Sequence, residues 1–108
     1  MCPGDQLNLT CLTTPNETLL QWSIDIPSRS APELRFISTD GITASVTPLI
    51  VGQTVFQFLR TSTSPLISLM VIDNVRTDVN GTRVECSFGG RVVSIDIINV
   101  IGNGEYLF

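Results

Sequence analysis

Leu7-Asn8-Leu9-Thr10-Cys11, followed by Leu20-Gln21-Trp22-Ser23-Ile24, decides the fold of this chain. Both runs alternate apolar and polar residues with period two, the mark of a strand with one buried face. In the first, spanning Gln6 to Thr13, Leu7, Leu9 and Cys11 share a face and Asn8 and Thr10 take the other. In the second, Thr18 to Asp25, the inward residues are Leu20, Trp22 and Ile24, and Gln21, Ser23 and Asp25 point out. A third run, Thr82 to Phe88, sends Val84, Cys86 and Phe88 inward and Arg83, Glu85 and Ser87 outward. After Gly89-Gly90, a dipeptide that tolerates the positive φ of a tight hairpin, Arg91 to Val100 alternates again. Its reading puts Val93, Ile95 and Ile97 in the core and Val92, Ser94 and Asp96 outside.

The middle of the chain adds strands at Leu34–Ser38, Gln53–Thr61 and Leu66–Ile72, with a turn over Thr61–Pro65. Ile26 to Pro32 reads as a loop, Asp40-Gly41 as a turn, and Ile42 to Val51 as strand or loop. No stretch keeps a 3.6-residue apolar period, so the expected class is all-β. One core fits 108 residues. Residues 1–102 are the expected domain and 103–108 a C-terminal linker or the stub of one.

Composition removes several functions. Hydrophobic residues at 43% supply a core, and charged residues at 15% are too few for disorder. A net charge of −4 with six scattered basic residues lacks a nucleic-acid footprint. There is no histidine, which removes Ser-His-Asp and Cys-His catalysis and the commonest metal ligand. Asp25, Glu85 and Asp96 share outward phase, but dispersed carboxylates on a sheet read as a solvated face rather than a catalytic pair. The expectation is therefore a non-enzyme with no metal and no cofactor.

Three cysteines allow one pair and leave one over, and their wide spacing suits neither a zinc ribbon nor a Cys-x-x-Cys redox motif. Three Asn-x-Thr sequons, at Asn8, Asn16 and Asn80, point to an exported chain carrying N-linked glycans. No apolar run is long enough to span a bilayer. Met1-Cys2-Pro3-Gly4 lacks the regions of a secretory signal, so the chain reads as cut from a longer secreted or membrane-anchored protein, its anchor lying outside this sequence.

With these residues in view, the chain resembles the immunoglobulin superfamily over nearly its whole length. Cys2 to Cys11 is similar to the entry to strand B, Leu20-Gln21-Trp22 to strand C, and Met70-Val71-Ile72-Asp73-Asn74-Val75 to strand E and its turn. Asn80-Gly81-Thr82-Arg83-Val84-Glu85-Cys86 looks like the approach to strand F, with Val84 where the family often has a corner tyrosine. The resemblance implies a two-sheet antiparallel Greek-key sandwich with one inter-sheet disulfide, Cys11–Cys86, beside a core Trp22. Pairing Cys2 with Cys11 instead would leave Cys86 alone against Trp22. Cys2 is left for an intermolecular bond or a terminal thiol. The 75 positions between Cys11 and Cys86 leave room for a C′ region of variable type, while the short Gly89-Gly90 hairpin is more like the intermediate type.

The same resemblance implies non-catalytic recognition: one of several tandem ectodomain modules of an adhesion or recognition receptor. Its partner would be a protein, including the same protein on another cell. Two surfaces are candidates. One is the outer C–C′–F–G face, Gln21, Ser23, Asp25, Arg83, Glu85, Ser87, Val92, Ser94 and Asp96. The other is the loop end at Phe88, Gly89 and Gly90 with Ile26–Pro32. Alternatives are a structural spacer, or an antigen-receptor-like variable domain in which Ile101 to Leu107 is a joining-type segment and Ser87 to Val100 a long loop.

Overall fold

A computed structural model describes residues 1–39, 46–63 and 65–101. Alternating apolar residues have produced eight strands: β1 (Leu7–Leu12), β2 (Leu19–Asp25), β3 (Glu33–Ser38), β4 (Leu49–Val51), β5 (Thr54–Thr63), β6 (Leu66–Asp73), β7 (Arg83–Phe88) and β8 (Arg91–Ile97). They form two four-stranded antiparallel sheets, β1-β6-β5-β4 and β3-β2-β7-β8. The chain changes sheet between β1 and β2, β3 and β4, and β6 and β7, so each sheet is assembled from distant segments. This is the expected all-β two-sheet sandwich. The uncertain segment 42–51 contributes the short β4, and its residues 42–45 lie outside those described. The turn expected from Thr61 starts later, since β5 continues to Thr63.

The core is built where both inner faces meet. Leu20, Trp22, Ile24, Val84 and Cys86 from one sheet pack against Cys11, Phe56, Met70 and Ile72 from the other, all buried. Two links cross this layer side by side. Cys11 of β1 is bridged to Cys86 of β7. Trp22 sits in register beside Cys86, and Ser68 sits in register beside Cys11. The Trp22 indole N–H donates to Ser68 Oγ at 2.9 Å, and that hydroxyl donates onward to the Leu59 carbonyl at 2.9 Å. A buried indole N–H needs such an acceptor, and a serine on the facing strand supplies it.

The corner before β7 is held without a tyrosine. Asn80 Oδ1 accepts from the Val100 N–H at 2.8 Å, and the Gly81 N–H donates to the Ile98 carbonyl at 2.7 Å. Thr77–Val79 forms a 3-10 turn whose Val79 carbonyl accepts from the Thr82 N–H. Cys2 takes no part in the bridge. It is half-buried, and its backbone N–H donates to Asp5 Oδ2 at 2.9 Å.

The expected phase of the last strand is reversed. Phe88 opposes Arg91 across the Gly89-Gly90 turn, and a regular ladder from there would have sent Val93, Ile95 and Ile97 inward. The register shifts between Cys86 and Ser87: Ser87 pairs with Val92 and Cys86 with Ser94, leaving Val93 as the extra residue of a β-bulge. One inserted residue exchanges the two faces of everything after it. Ile95 and Ile97 therefore align with the outward Glu85 and Arg83, while Ser94 and Asp96 align with the buried Cys86 and Val84. The strand ends at Ile97, and the chain beyond it turns inward to bury Ile98 and Val100.

Candidate recognition face

Register alone assembles the outer face of the β3-β2-β7-β8 sheet, because opposed residues in a ladder share a side. Gln21 lies between Phe36 and Ser87, Ser23 between Leu34 and Glu85, and Asp25 beside Arg83. Ser87, Glu85 and Arg83 continue to Val92, Ile95 and Ile97. The sequence-expected residues Gln21, Ser23, Asp25, Arg83, Glu85, Ser87 and Val92 thus come together on one surface. Ser94 and Asp96 do not, for the bulge turns them to the other side.

Their places are taken by apolar residues. Leu19, Leu34, Phe36, Val92, Ile95 and Ile97 are each between 43% and 51% exposed, where isolated apolar side chains would be unremarked. Five of them form two ridges, Leu34 and Phe36 on β3 and Val92, Ile95 and Ile97 on β8, and Leu19 lies at the end of β2. Between the ridges runs a lower strip of half-buried Gln21, Ser23, Glu85 and Ser87. Arg83 Nη2 pairs with Glu85 Oε1 at 2.8 Å in this strip, beside an open polar hollow of about 320 Å³ that also touches Asp25, Ser23 and Pro32. Arg83 is engaged by Glu85, while Asp25 at the same hollow has no ion pair among the described residues. Among the described residues no group of three His, Cys, Asp or Glu is placed to hold a metal ion.

The apolar ridges escaped sequence reasoning for different reasons. Leu34 and Phe36 carried a signal, since the alternation Leu34-Arg35-Phe36-Ile37 has to put one pair outside. Arg35 resolves it by lying on the inner side, where its guanidinium reaches over the Phe58 ring at 5.9 Å and Nε donates to the Thr47 carbonyl at 2.7 Å. Ile95 and Ile97 carried none, because the bulge has no sequence mark here.

The candidate loop end is corrected in two respects. Phe88 is the buried last residue of β7 and presents no surface. Gly89 and Gly90 form the turn, with φ of 59° and 77°, but they lie at the opposite end of the sheet from Ile26–Pro32. Gly89 is next to Glu17 in the β1–β2 connection, whereas Pro27 lies against Gly81. The two loops therefore share no surface. Ser87 to Val100, a long loop only under the antigen-receptor alternative, holds the expected Gly89-Gly90 hairpin, its arms paired as far as Ile97. Most of the joining-type segment expected at 101–107, and the linker at 103–108, lie outside the described residues.

Sequons map to the other surfaces. Asn8 lies on the outer face of the β1-β6-β5-β4 sheet, opposed to Val71; Asn16 is exposed in the β1–β2 connection; Asn80 is at the corner before β7. None stands on the outer face of β3-β2-β7-β8. No known family model matches this chain, and no curated protein matches it.

Proposed function

We propose that the chain is an extracellular, non-catalytic recognition module of the immunoglobulin-like kind, which binds a protein partner through the outer face of the β3-β2-β7-β8 sheet. The observation that carries this reading is the pair of exposed apolar ridges flanking a polar, charge-neutralised strip on a face free of sequons. Contiguous apolar surface of this sort marks protein contacts, and a mixed ridge-and-strip surface suits a self-complementary one. The second sheet also exposes apolar residues, Leu12, Ile50 and Leu59. A glycan on Asn8, on the edge strand β1 and opposed to Val71, would crowd the β1 side of that face. The bridge Cys11–Cys86 and the sequons favour an oxidising, exported setting. A second copy on an opposing cell is the partner this surface fits, making the module adhesive.

The test is clustering of beads coated with the glycosylated chain. Phe36→Asp is expected to raise the coating density needed for clustering about tenfold or more, the scale of losing one buried aromatic anchor. Leu59→Asp, on the other sheet, should leave clustering unchanged. Equal loss in both variants, or no clustering of the wild-type chain, would overturn the reading; the latter favours a spacer.

A further inference from the structure

A sandwich has four sheet edges, and each is a row of unpaired backbone groups open to another chain unless something blocks it. Three of these edges carry a visible block. The β4 edge is only three residues long and follows Pro48. On β3, Arg35 binds Glu33 at 3.3 Å and the Thr47 carbonyl, which ties the edge to the chain beyond it. On β1, Asn8 opens a sequon, and a glycan there would crowd the strand. The fourth edge, β8, has seven residues, no proline and no sequon, and the guards it carries are the bulge at Val93 and the charged Arg91 and Asp96. Its residues are exposed apart from half-buried Ser94, so the opposite sheet does not reach beneath it.

The bulge makes this edge self-complementary. Counting Val92 and Val93 as one position, the order along β8 becomes Arg91, Val92/Val93, Ser94, Ile95, Asp96, which is symmetric in chemistry about Ser94. A two-fold axis at Ser94 sets Arg91 opposite the partner's Asp96, and Val92/Val93 opposite the partner's Ile95. Ser94 then meets its own copy. Opposed residues in a continuous sheet must face the same way, and they do: Arg91, Ser94 and Asp96 share the side of Phe88, Cys86 and Val84, while Val92 and Ile95 share the other. Without the bulge, Arg91 and Asp96 would point to opposite sides and this register would fail. Neither the Arg91 nor the Asp96 side chain has an ion pair or hydrogen bond with the described residues.

We propose that two copies of this chain join edge to edge through antiparallel β8 strands centred on Ser94, forming one eight-stranded sheet clasped by two Arg91–Asp96 ion pairs. Seven-residue strands bury less surface than a standard permanent interface, so the contact is weak and reversible. It sets two recognition faces side by side in one plane, where linked weak contacts reinforce one another. It does not depend on the proposed function, because its ion pairs and its centre, Arg91, Ser94 and Asp96, lie on the side away from the recognition face, and only Val92 and Ile95 belong to both. Phe36 stands three strands from β8, about 14 Å.

Sedimentation velocity of the Cys2→Ser chain over a concentration series, without reductant so that the Cys11–Cys86 bridge stays closed, tests this. The chain should self-associate with rising concentration, and do so as a simple monomer–dimer equilibrium where Phe36→Asp removes the face contact. Arg91→Asp alone and Asp96→Arg alone each give two like-charge contacts per dimer, and each should weaken association about tenfold or more. An equimolar mixture of the two variants should recover it, because the mixed pair again has two opposite-charge contacts. That recovery also shows both variants to be folded. Phe36→Asp should dimerise as wild type does, even where bead clustering is lost. A monomer at every concentration, single variants that associate normally, or a mixture that fails to recover would each overturn the proposal. A monomer would instead point to another segment of the chain lying along β8.

Discussion

Removing the inter-sheet bridge by Cys11→Ala with Cys86→Ala is expected to lower the unfolding free energy by about 4–4.5 kcal/mol. The bridge closes a loop across 75 positions. In the chain-entropy account, opening it returns that much freedom to the unfolded chain. A domain of this size has only about 5–15 kcal/mol in all, so the variant should sit near the edge of folding at physiological temperature. Guanidinium unfolding followed by Trp22 fluorescence and by circular dichroism reads the change. A loss below about 1 kcal/mol would mean that the packed faces hold the sheets together without the pin. Both cysteines must be replaced, because a single substitution leaves a buried thiol against Trp22 and a second thiol at Cys2.

Trp22→Ala should cost about 3–5 kcal/mol, the range for deleting a large buried aromatic. Trp22 is buried in register beside Cys86, so truncation opens a void at the bridge and removes the hydrogen bond to Ser68. Two companions separate these contributions. Trp22→Phe keeps most of the ring volume and loses the N–H, and Ser68→Ala keeps the ring and strands its N–H without an acceptor. Each of the two should cost about 1–3 kcal/mol. Circular dichroism is the readout, since Trp22 is the chain's single tryptophan. If Trp22→Ala cost no more than Trp22→Phe, the volume of the ring would not be what the core depends on.

How much of this was legible depended on whether a strand was covered on one side. In β1, β2 and β7 the alternation of Leu9-Thr10-Cys11, Gln21-Trp22-Ser23 and Glu85-Cys86-Ser87 set the inner face correctly, because a second sheet lies over each. Cys11, Trp22 and Cys86 then placed the sheets against each other. In β8 the same alternation was present, and Phe88 with the glycine turn even set its starting phase. The bulge at Val93 inverted it. Bulges follow from strand twist and edge position rather than from a residue type, and Val92-Val93 carries no glycine to mark one. The recognition face was therefore half legible: its polar strip followed from the outward phase of β2 and β7. Of its apolar ridges Val92 followed from its phase and Leu34 and Phe36 carried a signal, but Ile95 and Ile97 were invisible, since they look like core residues until the register is known. The pairing of Phe88–Gly90 with Ile26–Pro32 failed for a related reason, because which loops share an end depends on strand direction within the sheet.

The central claim is that the outer face of β3-β2-β7-β8 makes the protein contact. Methyl cross-saturation measures this directly, with labelled Arg91→Asp chain, in which the β8 edge contact is broken, in dilute exchange against unlabelled Arg91→Asp chain under clustering conditions. The account predicts strong attenuation at Leu34, Val92, Ile95 and Ile97, with Leu12, Ile50 and Leu59 on the opposite sheet unaffected. Attenuation centred on Leu12, Ile50 and Leu59, with the methyls of Leu34 and Ile95 untouched, would contradict it.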